Sequence, residues 1–432
     1  MTSSRAMPAR DADDGTLNTA TLKQQLSQSQ RIYKRRTWLL VAPLLLFILI
    51  SFVVPIASIL IKSVANPEVR DGLPNVTAAL SRWDGTALPD EAVFQALVSD
   101  LRRARADGQI ATVAKRLSYE SPAYRGLIMR TLRAAPDAPG MTRAAPDAPG
   151  MTRAALIQAL PQWGDITVWR SVQRASRPFT GYYVLAVFDR KVDIQTGEIT
   201  RLPEGQALYI GVLLRTLLMA AVVTLICLAL GYPLAYWLSK QPAGRANLLL
   251  IMVLLPFWTS LIVRTASWIV LLQSGGLING ALLYAGIIDK PLVLVFNRVG
   301  VYIAMTHILL PFIVLPLYAV MKGISPNYMR AAISLGAHPF TAFWRVYVPQ
   351  TYAGIAAGGL LVFIMAIGYY ITPALLGGPG DQMLSYFVAF FTNTTMNWGM
   401  AAALGSQLLI IVILLYIVYI RVTRTQAELA AH

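Results

Sequence analysis

Charged residues, cysteine and histidine are all scarce in this chain of 432 residues. Only 13% of the residues are charged and 56% are hydrophobic, which excludes an ordinary soluble globular domain. The single cysteine, Cys227, excludes a disulfide framework and a thiolate metal site. The three histidines, His307, His338 and His432, have no Cys, Asp or Glu cluster beside them. We therefore expect a membrane protein without a metal site, cofactor or catalytic triad, and so not an enzyme.

Two further absences concern the source of energy. No G-x-x-x-x-G-K-[ST] motif occurs, so the chain lacks the phosphate-binding loop that it would need to hydrolyse ATP by itself. The long apolar blocks contain no Asp or Glu, which proton- and sodium-coupled carriers normally have within the membrane. This disfavours a secondary transporter. The net charge of +16 does not indicate nucleic-acid binding, because the basic residues form no patch interleaved with aromatic residues.

Six apolar blocks are long enough to cross the ~30 Å hydrocarbon core of a bilayer as helices. The first, 38–61, follows a polar tail, 1–37, that ends in basic residues. Since this block is longer than the core of a signal peptide, we expect an uncleaved first span. The other blocks are 208–238, 247–272, 299–320, 350–373 and 404–420.

An inserted domain is expected between the first two spans, at 62–207. This region has ordinary soluble patterning, with 19 Lys and Arg against 15 Asp and Glu. Segments 165–172 and 180–189 are rich in aromatic and β-branched residues and predict strands, whereas helices are expected at 89–105 and 111–133. The pattern therefore predicts a small α+β domain.

The inserted region also contains a perfect tandem repeat. The sequence AAPDAPGMTR occurs at 134–143 and again at 144–153. Two copies of ten residues cannot build a solenoid, and their proline and glycine content is typical of a loop. We therefore expect a duplication that is tolerated at an exposed site.

Basic residues are distributed unevenly among the loops. They follow the second, fourth and sixth blocks, whereas the loop 374–403 has none. By the positive-inside rule the tails 1–37 and 425–432 and the loop 322–349 are cytoplasmic, and the domain 62–207 is periplasmic, since long domains cross regardless of charge. The basic residues in question are Lys240, Arg245, Lys322, Arg330, Arg345, Arg421 and Arg424.

Residues 325–349, SPNYMRAAISLGAHPFTAFWRVYVP, which we call the elbow, predict two short helices. Ser325 and Pro326 are helix-start signals, Gly336 suits a left-handed C-terminal position, and Pro339 restarts a helix. Each helix has one apolar face, and by periodicity alone both would lie on a membrane surface. Those faces comprise Tyr328, Ala331, Ala332 and Leu335, and then Phe340, Phe343, Trp344 and Tyr347.

The elbow resembles the cytoplasmic coupling loop of ABC importer permeases. That pattern is Glu-Ala-Ala, three residues, Gly, nine residues, then Ile-x-Leu-Pro. Arg330 takes the place of Glu and reverses its charge, which puts any salt bridge of that Glu in doubt. The matching positions are Ala331, Ala332, Gly336 and Pro349, with Val346 and Val348 in place of Ile and Leu.

Three further segments, 231–240, 254–272 and 362–383, are similar to the spermidine/putrescine-type permeases of that family, and together the likeness covers most of 208–424. It implies an all-α protein of the bacterial inner membrane with the six-helix type I permease fold. It also implies half a pathway for a small solute such as spermidine or putrescine. The implied partners are ATP-binding subunits, a second permease subunit and a periplasmic solute-binding protein. The residues expected to couple to the ATPase are Arg330, Ala331, Ala332, Gly336, Phe340 and Phe343.

The ionisable groups inside the apolar blocks are basic. Arg215 lies near the end of its block and is expected to snorkel to the interface. Arg264 lies deeper and either faces a pathway or braces a neighbouring helix. His307 is expected to form an interhelical hydrogen bond.

Aromatic residues supply the remaining pathway candidates. Tyr369 and Tyr370 lie between Gly368 and Pro373, where a helix would bend, and Trp398 adds a further ring. Such rings could offer a cation weak contacts of about 0.5–2 kcal/mol each. The predicted pathway residues are therefore Arg264, Tyr369, Tyr370 and Trp398. Two alternatives stay open: a permease for another small solute, and a membrane receptor or scaffold whose external domain binds a ligand.

Overall fold

The structure is a computed structural model that describes residues 38–134 and 152–431, with side chains as far as Arg421. The tail 1–37 and most of the tandem repeat lie outside the described residues, so the loop at the repeat stays a prediction. The first helix, α1 (Trp38–Lys62), contains a π-helical turn at Leu49–Val53. Its 25 residues span about 37 Å, enough to cross a bilayer. This confirms the first predicted membrane helix.

The inserted region has its own hydrophobic core. The rings of Phe94 and Trp163 lie 4.7 and 4.9 Å from that of Trp169, and all three are buried. Strand β1 (Arg190–Val192) pairs antiparallel with β2 (Ile199–Arg201). The described helices are α2 (Pro67–Gly72), α3 (Pro74–Leu80), α4 (Glu91–Ala106), α5 (Ile110–Ser118), α6 (Pro122–Ala134), α7 (Arg153–Ala159), α8 (Ile166–Ala175) and α9 (Tyr182–Ala186).

The strands predicted at 165–172 and 180–189 are wrong, because these segments form α8 and α9. Asp165 caps α8 by accepting a hydrogen bond from the N–H of Thr167 at 2.8 Å. The buried side chains of α8 recur every three or four residues, which favours a helix over their β propensity. The small α+β insertion is confirmed, with its strands in the hairpin after α9. The buried side chains of α8 include Val168, Trp169, Val172 and Ala175.

The rest of the chain is helical. By length and composition, five helical stretches of the described chain can cross a membrane, and the bent pair α16 and α17, with 61° between its halves, makes a sixth. This agrees with the six predicted spans. The helices are α10 (Tyr209–Ser239), α11 (Ala243–Leu254), α12 (Leu261–Leu272), α13 (Leu277–Tyr284), α14 (Arg298–Gly323), α15 (Asn327–Ser334), α16 (Pro339–Gln350), α17 (Tyr352–Gly368), α18 (Ile371–Leu376), α19 (Leu384–Asn393) and α20 (Trp398–Ala431).

The third apolar block is broken. The segment predicted as one span, 247–272, contains most of α11, a 3₁₀ turn at Leu255–Trp258 and the whole of α12. Pro256 lacks an N–H group and cannot continue the hydrogen-bond ladder of α11. The candidate span is Leu261–Tyr284, further along the chain than predicted.

Helices α10, α14 and α17 pack around one isoleucine. A Cβ atom on Gly231 of α10 would lie 2.7 Å from the side chain of Ile313 in α14. A Cβ atom on Gly358 of α17 would lie 3.0 Å from the same side chain. Glycine therefore lets both helices approach α14 closely, as small residues do between membrane helices.

Candidate functional site

The elbow consists of two short helices, as predicted. Helix α15 ends before Gly336, whose φ of +90° lies in the left-handed region. The N–H of Gly336 donates to the carbonyl of Ile333 at 2.9 Å, and the N–H of Ala337 donates to that of Ala332 at 3.1 Å. These two bonds form a Schellman closure, which requires a residue that tolerates positive φ. The prediction of a helix, a glycine link and a second helix is confirmed.

One face of the elbow packs against the C-terminal end of α10. The ring of Phe343 lies 5.5 Å from that of Tyr236 and 5.6 Å from that of Tyr347. The ammonium group of Lys240 lies 5.3 Å from the Tyr236 ring and 5.1 Å from the Tyr347 ring. Tyr236 and Lys240 belong to the segment 231–240, so this segment anchors the elbow by aromatic and cation–π contacts.

The other face of the elbow is exposed and apolar. Arg330, Ala331 and Gly336 are exposed and Ala332 is half-buried, whereas Phe343 lies on the anchoring face. In the described part of the chain, the guanidinium of Arg330 has no hydrogen-bond or ion-pair partner. An exposed apolar patch of this kind is typical of an interaction surface. Its large side chains are Tyr328, Leu335, Phe340 and Trp344, which are 56, 89, 68 and 54% exposed.

Arg264 braces the break in the third span. Its guanidinium donates to the carbonyls of Pro256 and Thr259, the latter at 2.9 Å, and lies 5.9 Å from the ring of Phe257. The carbonyl of Pro256 also accepts the 3₁₀ hydrogen bond of the Thr259 N–H at 3.3 Å, and Arg264 adds a donor to both carbonyls within the apolar region. Arg264 therefore stabilises the break in its own span, and its pathway role stays a prediction.

Tyr369 and Tyr370 lie at a second break, as the neighbouring glycine and proline predicted. Helix α17 ends at Gly368 and α18 starts two residues after Tyr369. The hydroxyl of Ser385 donates to the carbonyl of Tyr369 at 2.7 Å and replaces a helical donor. Tyr369 is half-buried and Tyr370 is 39% exposed.

A hydroxyl contact joins the two broken spans, and an imidazole contact joins α12 to α14. The side-chain oxygens of Thr265 in α12 and Thr372 in α18 lie 3.3 Å apart, and both residues are buried. The indole N–H of Trp268 in α12 donates to Nδ1 of His307 in α14 at 3.3 Å, which confirms the interhelical bond predicted for His307. Arg264 and the tyrosine pair therefore lie on neighbouring elements.

Trp398 lies elsewhere, at the first residue of α20. The ammonium group of Lys62 is 5.3 Å from the centroid of its ring. The indole lines a cavity of about 180 Å³ whose other walls come from the inserted region and from the residues just before α20. Neither Tyr369 nor Tyr370 lines this cavity, so the predicted pathway residues fall in two separate places.

The inserted region is docked on the starts of α10 and α20. The carboxylate of Asp189 accepts hydrogen bonds from the N–H groups of residues 208–210, each at 2.9 Å, and so caps α10. Tyr183 is buried against α20, where a Cβ atom on Gly399 would lie 2.3 Å from its ring. Sequence reasoning missed Asp189, because this cap comes from far upstream and has no local signature.

Two arginines hold the loop between α18 and α19. Nε of Arg298 donates to the carboxylate of Asp381 at 2.8 Å, and this carboxylate also accepts from the N–H of Gly378 at 3.1 Å. Arg215, for which snorkelling is expected, donates to the carbonyl of Gly380. The starts of α10 and α14 are thereby tied to one loop, a role that residue type alone did not reveal.

The elbow and the inserted region contact opposite ends of α10. The elbow packs on its C-terminal end, and Asp189 caps its N-terminal end. The 31 residues of α10 extend over about 46 Å, more than the ~30 Å hydrocarbon core. The two features therefore lie at opposite ends of a helix that is longer than the hydrocarbon core is thick.

Comparison with known proteins shows clear relatives. The chain is 37% identical over 217 residues to the spermidine/putrescine transport system permease protein PotB of Escherichia coli K12, a match that covers 50% of this chain and 79% of that protein. It is 31% identical over 228 residues to the inner membrane ABC transporter permease protein YdcU of the same organism, covering 49% and 70%. A chain of a bacterial alginate ABC transporter structure, in complex with an alginate-bound periplasmic protein, is 17% identical with a TM-score of 0.42 and coverage of 50% and 78%. No family model matches the chain.

Proposed function

The chain belongs to the permease family of ABC transporters, and on that premise we propose that it forms half of the pathway of an ATP-driven importer for a polyamine such as spermidine or putrescine. The observation that carries the choice of solute is the 37% identity to a spermidine/putrescine permease, over 79% of that protein. The relatives are transport permeases, so the chain is a transport subunit and not an enzyme.

The local chemistry of the broken spans supports a cationic solute. Arg264 would repel a polyamine if its charge faced the pathway, but its guanidinium is bound to carbonyls of its own span. Tyr369 and Tyr370 would then offer weak cation–π contacts, on the order of 0.5–2 kcal/mol each. Weak contacts let a solute leave as readily as it enters. Selection among solutes would rest with a separate binding protein.

The elbow is the proposed site of coupling to the ATPase. Ala331, Ala332 and Gly336 would allow close approach, and Phe340 would insert into a groove of the ATP-binding subunit as a buried anchor. Arg330 would pair with an acidic residue of that subunit. The exposure of Arg330, Ala331, Gly336 and Phe340 supports the proposal.

The proposed orientation follows from the charge asymmetry of the loops. The coupling loop 322–349 and the tails 1–37 and 425–432 are cytoplasmic, and the domain 62–207 is periplasmic. A second permease subunit would complete the pathway, two ATP-binding subunits would dock on the cytoplasmic side, and a periplasmic binding protein would deliver the solute.

Uptake by the complete assembly tests the solute. The chain is reconstituted with these partners, and uptake of radiolabelled putrescine, spermidine and a small anionic solute is compared. We expect saturable, ATP-dependent uptake of the polyamines, with no uptake of the anion, and little effect of Arg264→Lys, which keeps the charge. Uptake of the anion that is lost in Arg264→Ala would overturn the polyamine assignment.

A further inference from the structure

We propose that the inserted region adds a binding subsite for an ammonium group at the start of the last span, with the carboxylate of Glu68 as the acceptor and the indole of Trp398 as the wall. The inference rests on the proposed function, because it takes the solute to be an organic cation. It assigns a role to the inserted region and supplies the carboxylate that the membrane spans lack.

The subsite is the cavity of about 180 Å³ in which Trp398 lies. Its size is below the ~300–1,000 Å³ of pockets that enclose whole drug-sized ligands, and suits the end of an alkylammonium chain. Aromatic rings and a thioether cover much of its wall, and such groups pack well against methylene groups. These wall residues are Tyr119, Tyr183, Met396 and Trp398.

Glu68 has a carboxylate oxygen that accepts no hydrogen bond from the described residues. Its Oε2 atom is buried and has no hydrogen-bond partner among the described residues, whereas buried carboxylate oxygens normally accept hydrogen bonds. Burial raises the pKa of Tyr119 to about 12 and raises the pKa of Tyr183, and the nearby Glu68 carboxylate contributes to both shifts. An ammonium group carries three donors and the opposite charge, so it satisfies this oxygen.

Two cationic side chains of the cavity wall donate hydrogen bonds to acceptors other than Glu68. Arg116 donates to Asn66 at 2.6 Å, to Glu120 at 3.2 Å and to Thr180 at 3.3 Å. Lys115 donates to the carbonyl of Thr395. In the described part of the chain neither forms an ion pair with Glu68, so its charge stays available to a ligand.

A further cation, Lys62, lies over the indole of Trp398 but does not line the cavity. Its ammonium group lies 5.3 Å from the centroid of the Trp398 ring, within the distance of a cation–π contact. The indole face therefore accommodates an alkylammonium group. Lys62 is therefore a like charge beside the subsite, which weakens binding of the ammonium group of the solute.

The cavity is held in place by the junction between the inserted region and α20. The side-chain amide of Asn397 donates to the hydroxyl of Tyr119 at 2.8 Å, and its oxygen accepts from the N–H of Met400 at 3.1 Å. The same side chain thus caps α20 and binds the inserted region. Trp398, the next residue, is thereby positioned on the cavity wall.

The test is direct binding of propylammonium and spermidine to the permease assembly without its binding protein. The assembly is placed in phosphatidylcholine nanodiscs, so that anionic lipid binds no cation, and the Kd is measured by saturation-transfer NMR. Glu68→Gln should raise the Kd about tenfold, the loss of one charge-assisted contact. Lys62→Met should lower the Kd about threefold because it removes a like charge beside the subsite.

Asp84→Asn is the matched control. Asp84 is a carboxylate of the same region that accepts hydrogen bonds from Thr86 and does not line the cavity, and this substitution should leave the Kd unchanged. A Glu68→Gln variant that folds and binds propylammonium as tightly as the original chain would overturn the inference. If Glu68→Gln fails to fold, the Lys62→Met variant decides, and an unchanged or raised Kd there overturns the inference as well.

The two proposals fail in different ways. Glu68-dependent propylammonium binding without polyamine uptake would support the subsite and remove the polyamine assignment. Polyamine uptake with Glu68-independent binding would remove the subsite alone.

Discussion

At the scale of single residues, glycine decides how closely the helices and the inserted region approach one another. Gly231 and Gly358 admit the side chain of Ile313, and Gly399 admits the ring of Tyr183. Gly336 acts differently, because its positive φ and not its small size is what the elbow requires. Only this last role could be predicted from sequence, since it depends on the local chain, whereas the others depend on partners far along it.

The contact between Gly399 and Tyr183 predicts that two glycine-to-alanine substitutions in α20 have different effects on stability. Gly399→Ala should destabilise the chain by about 1–3 kcal/mol, because the new methyl group overpacks against the buried ring. Gly405→Ala, in the same helix with nothing within 4 Å of the new Cβ, should leave stability unchanged or raise it by up to ~1 kcal/mol. Thermal unfolding in detergent, followed by circular dichroism, compares the two variants. Equal stabilities would show that Tyr183 is not packed on α20.

At the scale of elements, glycine and proline signals predicted the structure better than the β propensity of single residues did. The elbow and the bend at Gly368 follow from proline and glycine signals, and both are present. The β propensity of 165–172 predicted a strand where the burial of Trp169 and its neighbours requires a helix. The break at Pro256 and its bracing by Arg264 were missed, because apolar composition alone does not reveal where a span is interrupted.

The two faces of the elbow separate the roles of two phenylalanines. Phe340→Ala should leave thermal stability unchanged and weaken binding of the ATP-binding subunit by about tenfold or more, since Phe340 is exposed and is the proposed anchor. Phe343→Ala should lower stability by about 2 kcal/mol, because it removes contacts with Tyr236 and Tyr347. Co-purification with the ATP-binding subunit and thermal unfolding measure the two effects. Full subunit binding by Phe340→Ala would exclude this side chain as the anchor.

At the scale of the whole molecule, the chain is a multi-pass permease of the inner membrane with an inserted region after its first helix. The likeness to known permeases covers half of the chain, and the number of candidate spans could be predicted from apolar length, whereas the position of the third could not. The docking of the inserted region could not, because Asp189, Tyr183 and Asn397 reach their partners across long stretches of sequence. The elbow and this docked region lie at the two ends of α10.

Spermidine transport into proteoliposomes of known orientation tests the central claim most directly. The complete assembly is reconstituted, its orientation is determined by protease access to the elbow, and ATP is supplied to one side at a time. We expect transport only when ATP is on the elbow side and spermidine with its binding protein is on the side of the inserted region. Transport driven by a proton or sodium gradient without ATP, or by ATP on the side of the inserted region, would contradict it.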